Sequence, residues 1–225
     1  MKPSLVLWDW NGTLLDDVAL CVDALNRLLR IYHYPQQYSL TQYREILASR
    51  LKIIIFAQVR FSKNSYKELA DDYMQDYLAR AGACPLAESA VPALSLLKGA
   101  GVQQVILSAS NLPVLEQQVT ERGVRPYFDR LLGLDNIYAR SKVEVGLAYL
   151  TELKQRGAVP AQAIMIGDSV HDLRLPRRWA CGVCCKPLGI RAHSSCVPPV
   201  PRCSGCFGRC AVLPERTVTS LDRRS

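Results

Sequence analysis

No apolar run in this chain approaches the ~18 residues that a membrane-spanning helix needs, so no spanning segment organises it. Internal repeats and low-complexity linkers are also missing, which excludes solenoids and repeat arrays. Cysteine is scarce over most of the length: only Cys21 and Cys84 of nine precede Asp172, which excludes a disulfide-stapled body. Charge of one sign is absent there too. The net charge of +8 arises wholly after Asp172, where ten Lys/Arg face two acids, while the preceding residues carry 18 of each sign. The basic balance therefore says nothing about nucleic-acid binding by the body, and no nucleic-acid or membrane partner is expected. Met1-Lys-Pro leads straight into an apolar run, which predicts no secretory leader and a cytoplasmic location. The length is enough to bury a sizeable core.

The most informative stretch is Leu5-Val-Leu-Trp-Asp9-Trp-Asn11-Gly-Thr13-Leu-Leu-Asp-Asp17. A short apolar run empties into a carboxylate and a Gly-containing turn. Buried parallel strands read as continuous apolar runs, and ligands of such sheets lie just beyond the carboxyl ends of the strands. An Asp after an apolar run also serves as a helix cap or turn former, so its partners decide. A second run ends in a carboxylate at Ala163-Ile-Met-Ile-Gly167-Asp168-Ser-Val-His171-Asp172, and a third in hydroxyls at Val105-Ile-Leu-Ser108-Ala109-Ser110-Asn111. Lys142 lies between them and opens a helical pattern.

In order and spacing these stretches resemble the four motifs of the haloacid dehalogenase superfamily of phosphohydrolases, across residues 1 to 172, and within it phosphoglycolate-phosphatase-like members. The resemblance implies phosphoryl transfer through an aspartyl-phosphate with Mg²⁺ as cofactor. Asp9 would attack phosphorus. Mg²⁺ would be held by the Asp9 carboxylate, the Asn11 backbone carbonyl and Asp168, with Asp172 supporting; Ser108, Ala109, Thr13 and Lys142 would bind the phosphoryl group. The residue types suit that chemistry: a carboxylate nucleophile splits one hard displacement into two, and Mg²⁺ takes oxygen ligands. The family usually carries a second Asp two residues after the nucleophile, and here that position is Asn11. General acid–base help is worth about 10²–10⁴-fold, so Asn11 predicts slow turnover of esters with poor leaving groups unless another acid, such as His171, serves. A phosphonate hydrolase or phosphomutase of the same superfamily is the alternative enzyme.

Residues 18–86 carry apolar residues at helical spacing, Ala24, Leu25, Leu28 and Leu29, then Leu69, Tyr73, Tyr77 and Leu78. They predict a helical cap inserted after the first strand. Alternating helices and strands follow, with Gly99–Val102 and Gly123–Pro126 as helix-to-strand turns. The expected architecture is α/β: a doubly wound parallel sheet, with residues 1–17 and 87–172 as a Rossmann-like core. The expected partner is a small phosphorylated substrate; the oligomeric state is left open.

Two segments resist this reading. Residues 47–61 have strand-like β-branched content in a helical neighbourhood. The tail, 173–225, holds seven cysteines, and Cys181-x₂-Cys184 with Cys203-x₂-Cys206 has the spacing of a Cys₄ zinc ribbon. An offset reading frame explains both segments instead. With allowed codons chosen and the third base of each read with the first two of the next, Leu173 to Cys181 gives Glu-Val-Ala-Ala-(Pro or Ala)-Leu-Gly-Val, a helix and strand start, with the single codon of Trp179 forcing the Gly. The same offset turns Leu188–Pro198 into Gly-His-Gln-Ser-Ala-Gln-Gln-Leu-Arg-Ala, and Ile46–Val59 into an aromatic, cap-like segment. As written, the tail is expected to leave the sheet without its closing strand, to favour aggregation, and to yield at worst an inactive relic.

Overall fold

The computed structural model describes residues 4–48, 66–135, 141–157, 163–168 and 182–185. Strand β1 is Leu5–Trp8. Among the described residues, α1 (Val18–Ile31), α2 (Leu40–Ala48), α3 (Tyr66–Ala81) and α4 (Ala90–Gly99) follow. Next come β2 (Gln103–Asn111), α5 (Leu112–Glu121), a 3₁₀ turn at Arg125–Tyr127 and β3 (Arg130–Leu134). The described elements end with α6 (Lys142–Gln155), β4 (Ala163–Gly167) and β5 (Gly182–Cys185).

The sheet has the order β3-β2-β1-β4-β5 and every pairing is parallel. Parallel neighbours need crossovers, and the alternation of strand residues shows helices on both faces. Val6, Trp8 and Ile106 point to one face, against Leu94 of α4 and Leu115 and Val119 of α5. Leu5, Leu7, Val105, Leu107 and Met165 point to the other, against Tyr149 of α6. This is the doubly wound α/β sheet that the sequence predicts. With β1 at its centre, buried on both sides, its Leu-Val-Leu-Trp run has no polar face to show. The indole N–H groups of Trp8 and Trp10 still need partners. They donate to the buried side-chain carbonyls of Gln104 and Gln118, at 3.1 and 2.8 Å.

The tail expectation is corrected at one point. Gly182–Cys185 pairs with β4 in register Ile164↔Gly182 to Gly167↔Cys185, so the tail as written does supply a parallel strand at this edge. Four residues of Gly-Val-Cys-Cys suffice, because a parallel edge strand is set by its backbone ladder. The expected unpaired β4 edge, and the aggregation argued from it, are withdrawn.

Helices α1, α2 and α3 fall between β1 and β2 and α1 packs against both of the others. Ala24, Leu25, Leu28, Leu29, Leu69 and Tyr77 are buried as their spacing predicts. Leu78 is not: it is 41% exposed, one position round the helix from the buried face that Tyr77 defines. The chain leaves and re-enters the core through adjacent segments. Asp16 N–H donates to Pro85 and Ala87 N–H to Leu14, around an isolated Leu15↔Leu86 bridge. The expected turns carry positive φ at Gly101 and Gly123. Residues 49–61 of the strand-like window, and His171, Asp172 and the tail apart from β5, lie outside the described residues.

Candidate active site

Asp9 follows β1, Ser108 lies near the end of β2 and Asp168 follows β4, so the carboxyl ends of three adjacent parallel strands converge. The Asp9 backbone N–H donates to the Ile166 carbonyl at 2.8 Å, which extends the β1–β4 ladder to the carboxylate itself. Its side chain is buried, at 7% residue exposure. A buried carboxylate needs charge or hydrogen-bond compensation. Lys142 Nζ donates to Asp9 Oδ1 at 2.5 Å across a sequence separation of 133, and Thr13 Oγ1 donates to Oδ2 at 3.3 Å.

Lys142 is aimed by the start of α6. Ser141 is the N-cap, its hydroxyl accepts from Glu144 N–H, and Glu144 accepts from Ser141 N–H, a complete capping box. The Ser-x-x-Glu pattern at 141–144 carries that signal in the sequence. Ser108 is 1% exposed and its hydroxyl accepts from Ser110 N–H at 3.1 Å, while Ala109 is exposed at the strand end. β2 runs on to Asn111 through a register irregularity after Leu107. Gly133 of β3 makes room for it: a Cβ there would lie 2.7 Å from Leu112 Cα and 2.9 Å from the Ser110 carbonyl.

Asp168 is set against the turn after β1. Gly12 has φ +71°, and a Cβ on it would fall 2.2 Å from Asp168 Oδ2. Only glycine admits both the backbone and the carboxylate. Asp9 and Asp168 follow adjacent strands, and Asp168 lies against the loop that carries Asn11; two carboxylates and a backbone carbonyl are hard oxygen donors of the kind that suits Mg²⁺. Asp172, the further ligand expected from the sequence, lies outside the described residues. Among the described residues no group of three His, Cys, Asp or Glu side chains is placed to hold a metal ion.

Sequence reading missed the other end of this loop. Asp17 stands at the N-cap position of α1 yet its side chain does not cap the helix. It is 1% exposed and turns back on the loop. Oδ1 accepts from Gly12 N–H at 2.8 Å; Oδ2 accepts from Asn11 Nδ2 at 2.7 Å and from the Tyr77 hydroxyl at 2.6 Å. Burial, with the Asp17 charge beside it, pushes the Tyr77 phenol far above its ordinary value, so it stays protonated and donates. Asn11 Nδ2 also donates to the Tyr77 oxygen at 2.9 Å, and Asn11 Oδ1 accepts from Ser110 Oγ at 2.7 Å. The aspartate itself was visible, but Tyr77 sits in a helical apolar pattern that reads only as core.

Comparison with known proteins shows the family and the fold. The family described as "Hydrolase: haloacid dehalogenase-like hydrolase" matches residues 3–177, and the chain belongs to that family. It is 26% identical over 181 residues to a phosphoglycolate phosphatase of Colwellia psychrerythraea, covering 76% of this chain and 79% of the relative. Among solved structures, the fold is similar to protein tyrosine kinase A (PtkA) of Mycobacterium tuberculosis, with a TM-score of 0.70 at 24% identity over 87% of this chain and 92% of that one. It is also similar to CbbY of Rhodobacter sphaeroides in complex with phosphate, with a TM-score of 0.62 at 18% identity over 83% and 87%. The C-terminal residues after 177 lie outside the family match.

Proposed function

We propose that the chain is a Mg²⁺-dependent phosphatase acting on a small phosphorylated metabolite, phosphoglycolate-like in kind, through an aspartyl-phosphate on Asp9. The observation that carries this reading is the Lys142–Asp9 ion pair at the sheet's carboxyl edge, 2.5 Å long and built from residues 133 positions apart. The family membership and the phosphoglycolate phosphatase relative support it. Asp9 contributes the attacking oxygen: its bond to phosphorus forms as the phosphorus–oxygen bond to the leaving alcohol breaks, and water then releases phosphate and regenerates the carboxylate. Lys142 neutralises charge as it spreads over the phosphoryl oxygens, and Ser108 with the Ala109 backbone holds them. Thr13 keeps the Asp9 rotamer. Asp9, the Asn11 carbonyl, Asp168 and Asp172 would hold Mg²⁺, which when bound offsets the repulsion between carboxylate and phosphate.

Residues 18–86 act in this reading as a cap that closes over the core and excludes water. The offset frame remains part of the reading for 47–61 and 173–225; for the tail it is supported by the end of the family match at residue 177. The test is hydrolysis of p-nitrophenyl phosphate by the chain and by Asp9→Asn. Activity that needs Mg²⁺ and vanishes in the variant is expected; equal activity in the variant would remove Asp9 from the mechanism.

A further inference from the structure

Nothing in the chemistry above uses the Asn11 side-chain amide or the Tyr77 hydroxyl, yet both are fully engaged. An asparagine amide has two N–H donors and one carbonyl. Here the donors go to Asp17 Oδ2 and to the Tyr77 oxygen, and the carbonyl accepts from Ser110. The Tyr77 hydroxyl in turn gives its proton to Asp17 and accepts from Asn11. Only a group that both donates and accepts satisfies that position. A phenyl ring does neither.

We infer that Tyr77 is a positioning residue, which through its hydroxyl bonds to Asn11 and Asp17 couples the seating of α3 to the shape of the loop that carries Asp9. The inference rests on the cap assignment made above. Four segments meet in this tether: the turn after β1, the start of α1, the end of β2 and α3. Tyr77 is 5% exposed and its ring lies parallel to that of Tyr73, with centroids 6.4 Å apart and planes 13° apart, so the hydroxyl is delivered on a fixed lever. Asn11 is two residues from Asp9, and the N–H of Gly12, the residue after it, is held by the other oxygen of Asp17. Any swing of α3 away from the core must break both bonds of the Tyr77 hydroxyl. With them goes one of the three hydrogen bonds that fix the Asn11 amide. Position 11, which carries no acid, serves here as the core side of a cap tether.

The experiment compares the full chain with Tyr77→Phe, Asn11→Ala and the double variant, each confirmed folded by its melting transition. Amide hydrogen exchange over residues 66–81 is read alongside KM and kcat for p-nitrophenyl phosphate with Mg²⁺. Each single variant is expected to speed exchange over 66–81 by roughly fivefold to tenfold and to raise KM more than it lowers kcat. The double variant is expected to do no more than the stronger single one, because both cut the same tether. A tyrosine that merely fills space between helices would lower the melting temperature, leave KM unchanged and give additive effects with Asn11→Ala. Additive effects, or unchanged exchange over 66–81 in Asn11→Ala, would overturn the inference. If no variant, nor the chain itself, hydrolyses the ester, the functional reading fails while the exchange data still decide the tether.

Discussion

Two buried carboxylates stand at the two ends of one loop, and their surroundings differ in kind. Asp9 is paired with a cation, Lys142, that arrives from the far side of the chain on α6. Among the described residues Asp17 is held by neutral donors alone: the Gly12 N–H, the Asn11 amide and the Tyr77 phenol, with the Cys21 thiol at 3.9 Å. A cation beside a carboxylate is what a nucleophile needs when its target is itself an anion. A ring of neutral donors anchors a carboxylate in place and offers nothing to an incoming phosphate. On the proposed function the same side chain serves chemistry at one end of the loop and architecture at the other, and the environment decides which.

The widest gap between the two ends should open on removing the cation. Lys142→Ala is expected to lower kcat for p-nitrophenyl phosphate by about 10²–10³-fold, the cost of deleting one preorganised charge-stabilising group. Steady-state kinetics at saturating Mg²⁺ measures it; a loss of less than tenfold would place Lys142 outside the reacting group. Gly12→Ala strikes between the ends, because the new Cβ would fall 2.2 Å from Asp168 Oδ2 at a residue with φ +71°. A backbone held there by a non-glycine costs on the order of 1–3 kcal/mol. A lower melting temperature and a several-fold higher Mg²⁺ requirement are expected, read from a thermal melt and a Mg²⁺ titration.

The third prediction exchanges the two ends. Asn11→Asp alone brings a second carboxylate to within 2.7 Å of Asp17 Oδ2, where an amide donor now sits. Like charges at that distance oppose each other, so the single variant should gain little. Asn11→Asp combined with Asp17→Asn keeps one carboxylate and one amide and moves the carboxylate to the acid position. The double variant is expected to speed hydrolysis of alkyl phosphates by at least about tenfold, part of the 10²–10⁴-fold that a positioned acid contributes. The effect on p-nitrophenyl phosphate, whose leaving group needs little protonation, should be smaller. Equal gains on both esters would mean that position 11 does not face the leaving group.

The convergence at the Asp9 end of the loop was legible because each of its parts carries a local signal. Asp9 and Asp168 follow apolar runs, Ser108 ends one, and Lys142 opens a helix behind a Ser-x-x-Glu cap. Strand ends in a parallel sheet then converge whatever the rest of the chain does. The anchoring end was not legible, since Tyr77 is one of several apolar-spaced residues on α3 and nothing in its neighbours marks it as polar in use. Gln104 and Gln118 hid in the same way: buried glutamines that serve two indoles cannot be told from surface ones without the partner. Strand β5 was lost to composition. Arg, Pro and Cys around it mask a four-residue run that a parallel edge accepts.

The central claim, that Asp9 is the nucleophile, is tested most directly by trapping the intermediate. Turnover of p-nitrophenyl phosphate with Mg²⁺ is quenched with acid, the protein is reduced with borohydride, and the peptide spanning the first motif is sequenced by mass spectrometry. An acyl phosphate is reduced to an alcohol, so homoserine at position 9, absent without substrate, is the predicted result; steady phosphate release with aspartate intact at position 9, or homoserine at another carboxylate, would contradict the account.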